Sequence, residues 1–280
     1  MMSNISQIAK KPKIGSSIMN IYSRSPTLVA MTAATLDILS HGRMILGLGT
    51  SSKAIVEEWY GVKFDHPVSR MHEYVDIIQL ALSGKKCNYD GNYFHLRNFS
   101  LLITPYRKHI PIYLAAINQK MVELTWEVAD GTIFYLRPLD ELKTTIQKMQ
   151  SRRKIDVACQ LITSVSENVD EAITRTKKTI AFYISVGNIY REFLSKNGFK
   201  KETEDILDEY QKSGLRDNYA LVSDKMVNAL AVCGTPEDAR KQLLRFVNVG
   251  VDLPILQFNP TGEFKESFNL FMSTFKGDMN

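Results

Sequence analysis

Residues 44–52 read Met-Ile-Leu-Gly-Leu-Gly-Thr-Ser-Ser, an apolar run that closes on two glycines and three hydroxyl side chains. From Met44 to Leu48 no polar residue alternates with the apolar ones. A strand buried on both faces reads this way, as in a parallel sheet covered by helices. A dinucleotide-binding fold would place G-x-G-x-x-G here, its third glycine letting the following helix pack close to the strand. The chain instead has Gly47-Leu48-Gly49-Thr50-Ser51-Ser52. The stretch thus lacks the third glycine that would favour a dinucleotide fold, and leaves a doubly wound open sheet or a (β/α) barrel as the two architectures.

Working outward, Lys13 to Ile18 is a short extended run. Ser25-Pro26 reads as an N-cap followed by proline at the first helical position, opening a helix over Thr27–Ser40 with Gly42 just past its end. Helical stretches follow the 44–52 run through Tyr60 and from Ser69 to Leu82. Tyr89 to Leu96 (YDGNYFHL) predicts a hairpin turning on Asp90-Gly91, within an excursion over about 86–110. Strands are then predicted at Pro111–Ala115, Thr132–Tyr135, Ile155–Thr163 and Asp252–Phe258. Helices are predicted at Gln119–Ala129, Leu139–Ser151, Pro236–Val249 and Glu263–Phe275. Val169 to Val232 reads as helical almost throughout, broken at Gly187, Gly198 and Gly214, with an inserted helical hairpin over about 186–232. The expectation is one domain over 1–280 with six strands, whereas a closed barrel has eight βα units.

The 280 residues, 44% hydrophobic, supply a core without staples. Net charge is +5, from 35 basic and 30 acidic residues spread along the chain, which lacks the clustered footprint of a nucleic-acid binder. Cys87, Cys159 and Cys233 are odd in number and widely spaced, so neither a disulfide framework nor a zinc site is expected. A reducing, cytoplasmic setting is the expectation. No apolar run reaches the length of a membrane span.

Three strand-to-helix loops could carry chemistry. The first, Ser16 to Pro26, holds Asn20, Tyr22 and Arg24, which could offer amide, hydroxyl and cationic groups to a ligand or form an ordinary capped loop. The second is Gly47 to Ser52, where glycines allow close backbone approach to a planar cofactor or an oxyanion, or serve packing alone. In the third, Ala115 to Met121, free N–H groups at a helix start could receive phosphate, or small residues could simply let strand and helix pack. The bland assignments are surface or structural roles for the five histidines, packing for Trp59, Tyr60 and Phe64, and a surface ion pair for Arg70 with Glu73. Tyr183, Tyr190 and Phe193 are expected to line the seam of the inserted hairpin.

Together, HGRMILGLGTSSKAIVEEWYGVKFDHPVSRMHEYVDII (41–78), PIYLAAINQKMVELTWEVADG (111–131) and FYISVGNIYREFLSKNGF (182–199) resemble the luciferase-like monooxygenase superfamily, in the branch that uses the deazaflavin coenzyme F420. The resemblance implies a TIM (β/α)8-type barrel with a helical insertion between the last two strands. The six strands become the third to the eighth, and the expectation follows that two βα units are missing ahead of Met1, through a late start site or a split coding region. By position it implies a non-prolyl cis peptide at Ser17-Ile18, against which the deazaflavin ring rests. It implies cofactor contacts from Ser17, Ile18, Asn20, Gly49, Thr50 and Ser51, with Ala116, Ile117 and Asn118 on the phosphate side.

Two positions depart from the family pattern. Ser52-Lys53 stands where some relatives carry an acid, and Asn118 where others carry glycine. Together with the missing second strand, this leaves no residue assigned as catalytic acid or base. The resulting expectation is an oxidoreductase moving a hydride between F420 and a small organic substrate, with no metal, nucleic-acid or membrane partner. Self-association as a homodimer is a further implication. An FMN-dependent monooxygenase on the same fold and a non-catalytic flavin-binding remnant are the alternatives.

Overall fold

The computed structural model describes residues 1–276. The chain forms two compact units, Met1–Ile133 and the residues from Phe134 onward, with the boundary inside a strand.

In the first unit a short helix α1 (Met2–Ile8) precedes two very short strands, β1 (Ile14–Gly15) and β2 (Met19–Asn20). Helix α2 (Pro26–Leu39) starts where the sequence signals it: Ser25 Oγ accepts from Leu28 N at 3.3 Å and Pro26 occupies the first turn. It stops before His41 and Gly42, both at positive φ (53° and 79°). Strand β3 (Met44–Gly49) is buried at every residue, which explains its unbroken apolar run. Beyond it lie α3 (Pro67–Leu82), β4 (Cys87–Asp90), β5 (His95–Phe99), β6 (Ile112–Ala115), α4 (Gln119–Val128) and β7 (Gly131–Tyr135). β1 and β2 both pair with β3, β3 with β6, and β6 with β7, all in parallel.

The return from the β4–β5 excursion is fixed by a buried charge. Asp37 on α2 is fully buried, and its carboxylate accepts from Arg107 Nε (3.0 Å), Nη2 (2.6 Å) and backbone N (3.1 Å). The same guanidinium donates to the Met44 carbonyl, so one arginine ties the loop to α2 and to the start of β3.

The hairpin itself differs from the expected two-residue turn. Asp90 is still in the strand, paired with His95, and the connection is Gly91–Phe94. Its free N–H groups explain the difference: the Glu73 carboxylate accepts from Asn92 N (2.6 Å), Tyr93 N (3.0 Å) and Phe94 N (3.2 Å). Glu73 is buried and faces the hairpin, so it does not form the surface ion pair with Arg70 that their spacing suggested. The neighbouring Gly91 leaves no room for a Cβ, which would lie 2.5 Å from Glu73 Cδ.

In the second unit β8 (Asp156–Val165) carries β10 (Leu253–Phe258) in parallel along residues 158–163 and β9 (Ala231–Gly234) in parallel along residues 162–165. Helix α5 (Leu139–Gln150) precedes β8, and α6 (Val169–Val186) leads into α7 (Asn188–Leu194), a π-helical turn at Ser195–Phe199, α8 (Lys200–Ser213) and α9 (Asp224–Leu230). The breaks fall at Gly187, Gly198 (φ 95°) and Gly214 (φ 72°), as the sequence suggests. Helix α10 (Pro236–Asn248) opens on a capping box of Thr235 and Asp238, and α11 (Phe264–Phe275) follows β10.

Strand β9 corrects the helical reading that ran to Val232. Four apolar residues directly after an apolar helix give no periodicity of their own. Tyr183 and Tyr190 pack edge-to-face on Tyr135, with ring centroids at 5.0 and 5.5 Å, and Phe193 lies 4.7 Å from the Arg137 guanidinium. The three cysteines are buried. Among the described residues no helix is long and apolar enough to cross a membrane, and no cluster of three His, Cys, Asp or Glu is placed to hold a metal ion.

Three backbone donors converging on one buried carboxylate predict that Glu73→Ala lowers unfolding stability by about 3 kcal/mol and speeds amide exchange at Asn92–Phe94. Urea unfolding with hydrogen-exchange mass spectrometry checks both.

Candidate functional site

The register of the first unit contains one extra residue. Ile14 and Gly15 stand opposite Met44 and Ile45, whereas Met19 and Asn20 stand opposite Leu48 and Gly49. Between these anchors Ser16, Ser17 and Ile18 face only Leu46 and Gly47, which makes a β-bulge. Such an insertion ends regular pairing and re-aims side chains, and bulges are over-represented beside active sites.

Two glycines of β3 make space for it. A Cβ on Gly47 would overlap the Ser16 carbonyl oxygen, and one on Gly49 would lie 2.5 Å from Ile18 Cδ1 and 3.4 Å from Ala115 Cβ. Ser16 Oγ closes the bulge onto the strand, donating to Gly47 O at 2.8 Å and accepting from Gly47 N at 3.0 Å. The Ser17-Ile18 peptide is cis, at the position the sequence resemblance implied.

Asn20 follows the bulge. Its Oδ1 accepts from Tyr22 N at 2.8 Å, an Asx turn that sets the orientation of the carboxamide. Rotating the group would set donor against donor. The other end, Nδ2, is buried and has no hydrogen-bond partner among the described residues. A buried donor left unmet costs more than an ordinary bond contributes, which makes Nδ2 a candidate contact.

Ile18, Gly49 and Ala115 thus meet at the carboxyl ends of β3 and β6, with Asn20 beside Gly49 in the register. Thr50 and Ser51 continue directly from Gly49, both half-buried. Among the described residues Thr50 Oγ1 makes only a long 3.4 Å bond to Ser51 O, and Ser51 holds φ 60° without being glycine. Ser52 Oγ accepts from Ile55 N at 3.4 Å as the chain enters a π-helical turn, Ile55–Trp59.

On the β6 side, the buried Ala116 donates its N–H to Ile133 O at 3.4 Å, Ile117 is half-buried, and Asn118 is the exposed N-cap of α4. The Asn118 side chain makes no capping bond, so the first turn of α4 receives no side-chain acceptor from its cap. Every proposed contact residue therefore lies in the bulge between β1 and β2, at the carboxyl end of β2, or at or just beyond the carboxyl ends of β3 and β6.

Some assignments change. Tyr22 is buried rather than offered to a ligand, and its hydroxyl donates to Asp65 O at 2.7 Å. Burial, outweighing the nearby Arg70 cation, pushes its pKa up to about 12, so it stays a donor at any ordinary pH. The Arg24 carbonyl accepts from Tyr74 Oη at 3.0 Å, which leaves its exposed cationic side chain as the sequence had it. Trp59 and Tyr60 are 74% and 45% exposed, so neither is a packing anchor, whereas Phe64 does pack, 5.3 Å from the Tyr22 ring. His72, His95 and His109 each sit on the surface beside one aspartate.

Sequence reasoning missed the partnership of Asp65 and Arg70 behind Tyr22. A signal for it was present: arginine one residue before the buried Met71, and aromatics at 93–94 facing the same helix.

Comparison with known proteins gives a concordant result. The model of the luciferase-like monooxygenase family matches residues 1–253. A 5,10-methylenetetrahydromethanopterin reductase of Archaeoglobus fulgidus is 26% identical over 265 residues, covering 91% of this chain and 79% of the relative. The solved structure of the coenzyme F420-dependent tetrahydromethanopterin reductase of Methanopyrus kandleri superposes with a TM-score of 0.79 at 24% identity, over 91% of this chain and 79% of that one. An F420-dependent secondary alcohol dehydrogenase, solved with an F420-acetone adduct, gives 0.75 at 20% identity over 98% and 82%. At those identities the two structures establish the fold, a luciferase-like α/β barrel.

The close approach at β3 separates the glycines. Gly47→Ala is expected to cost about 3 kcal/mol or more, because its Cβ would overlap a backbone oxygen outright rather than merely crowd one. Gly15→Ala, whose nearest obstacle is Ile45 O at 3.2 Å, should change stability by no more than about 1 kcal/mol. Denaturant unfolding of the two variants measures the difference.

Proposed function

The chain belongs to the luciferase-like monooxygenase family, and from that premise we propose that it is an oxidoreductase transferring a hydride between coenzyme F420 and a small organic substrate. The observation that carries this reading is the bulge of residues 16–18 against Gly47 and Gly49, which leaves a buried amide donor without a protein partner at a strand end. The relatives named for F420 chemistry support the choice of cofactor.

The residues present fit such a group. An apolar side chain (Ile18), a glycine-lined approach (Gly49) and an unmet donor (Asn20 Nδ2) together suit a planar ring with a polar edge. When bound, F420 supplies a deazaflavin carbon able to accept or give up a hydride. In this reading Ser17 and Ile18 support the ring from one face. Asn20 donates to its polar edge from an amide already oriented by Tyr22, so little ordering remains to be done on binding. Thr50 and Ser51 add hydroxyls along the same edge. The backbone of Ala116 to Asn118 and the opening turn of α4 receive phosphate, where helix N–H groups favour an anion. The tasks assigned to the chain are holding and orienting, and the substrate would be a small organic molecule.

Titration with F420 and, separately, FMN tests the reading, following fluorescence of each cofactor. Saturable F420 binding is expected, with Asn20→Ala weakening it about tenfold for a lost buried hydrogen bond. Tight FMN binding with no affinity for F420 would overturn it.

A further inference from the structure

We propose that Arg70, on α3, is a positioning residue for the Asn20 carboxamide and acts on it through Tyr22. The proposal rests on the reading of Asn20 as a cofactor contact and adds to it the group that keeps that contact aimed.

Tyr22 is the only residue that holds Asn20 Oδ1 among the described contacts, by its backbone N–H at 2.8 Å. What immobilises that N–H is the rest of Tyr22, and Arg70 controls it at two points. Its guanidinium carbon lies 5.2 Å from the centre of the Tyr22 ring. Its Nη2 donates to Asp65 Oδ1 at 3.0 Å, and the carbonyl of the same Asp65 accepts the Tyr22 hydroxyl at 2.7 Å. Ring and hydroxyl are thus both held with the help of one cation, the first directly, beside Phe64 at 5.3 Å, and the second through the residue it pairs with.

The arginine is largely enclosed, although its Nε is buried with no hydrogen-bond partner among the described residues. Its side chain is 19% exposed, and its guanidinium also lies 4.9 Å from the Tyr93 ring and 5.6 Å from the Phe94 ring at the tip of the β4–β5 hairpin. A cation among aromatic faces, with a carboxylate on one nitrogen, has few rotamers left to it. Only an arginine combines the planar stacking surface with a directed N–H toward Asp65; lysine would keep the charge and lose the fork. A side chain needed only to fill this space would be apolar.

Two readouts test this. The first is the F420 dissociation constant of the wild type, Arg70→Met, Asn20→Ala and the double variant. Each single change is expected to weaken binding about tenfold, and the double variant to be no more than about twofold weaker than either, since both act through one amide. Unchanged binding by Arg70→Met, or losses that multiply in the double variant, would overturn the proposal. Tyr22→Phe is the gentler probe should Arg70→Met fail to fold; it is expected to weaken binding a few-fold only while Asn20 is present, and a loss that persists with Asn20→Ala would overturn the proposal.

The second readout needs no cofactor. The Asn20 side-chain amide signal in nitrogen-15 NMR, assigned by its disappearance in Asn20→Ala, should shift or broaden in Arg70→Met, and Arg70→Lys, which keeps the charge but not the stacking plane or the directed N–H, should restore it only in part. An unmoved signal overturns positioning even if F420 binds. Absence of F420 binding by the wild type instead overturns the cofactor reading, while the NMR comparison still decides whether Arg70 positions the amide.

Discussion

A Cβ atom on Gly47 would stand where the Ser16 carbonyl oxygen already is, and the first unit is built around keeping that space empty. Three residues of one strand must pass two of the next, so backbone from the first is driven against backbone of the second. Only a strand with glycine at the contact positions can accept this. Met44, Leu46 and Leu48, alternating with Gly47 and Gly49, do two jobs in six residues: the large side chains fill the core while the glycines receive the bulge. The candidate site is the outer surface of that compromise.

Charge fixes what packing leaves loose. Loops far from one another in sequence are pinned by ionised groups whose partners are mostly backbone: Glu73 gathers the hairpin tip, and Arg107 joins Asp37 to the Met44 carbonyl. Each uses several hydrogen bonds on one buried or half-buried charge, the arrangement in which such a charge is tolerated. Removing one partner would strand the other, so these residues are less replaceable than their polarity suggests.

How much of this was legible in the sequence follows from the range of the interactions. The parallel alternation, the Ser25-Pro26 helix start, the glycine breaks at 187, 198 and 214 and the position of the cis bond could be read because they depend on neighbours in the chain or on a family pattern. The four-residue connection at Gly91–Phe94 could not, because Glu73, eighteen or more positions earlier, determines it. The pairing of Arg70 was misread for the same reason: its spacing to Glu73 suits an ion pair, yet both side chains find tighter partners elsewhere. Strand β9 was hidden by composition, since Ala-Val-Cys after an apolar helix is equally at home in either state. Of the site, the contact loops were visible and the residues behind them were not.

The offset between Gly15 and Met19 bears on how such a site can arise and be lost. Removing any one residue from 16–18 would bring Met19 and Asn20 to their same partners through an unbroken run of pairs, leaving an ordinary continuous strand. The closest obstacles to a Cβ on the glycines opposite, the Ser16 carbonyl and the Ile18 side chain, would then be withdrawn, leaving Ile133 beside Gly47 and Ala115 beside Gly49. A continuous strand and a bulged one differ here by a single codon.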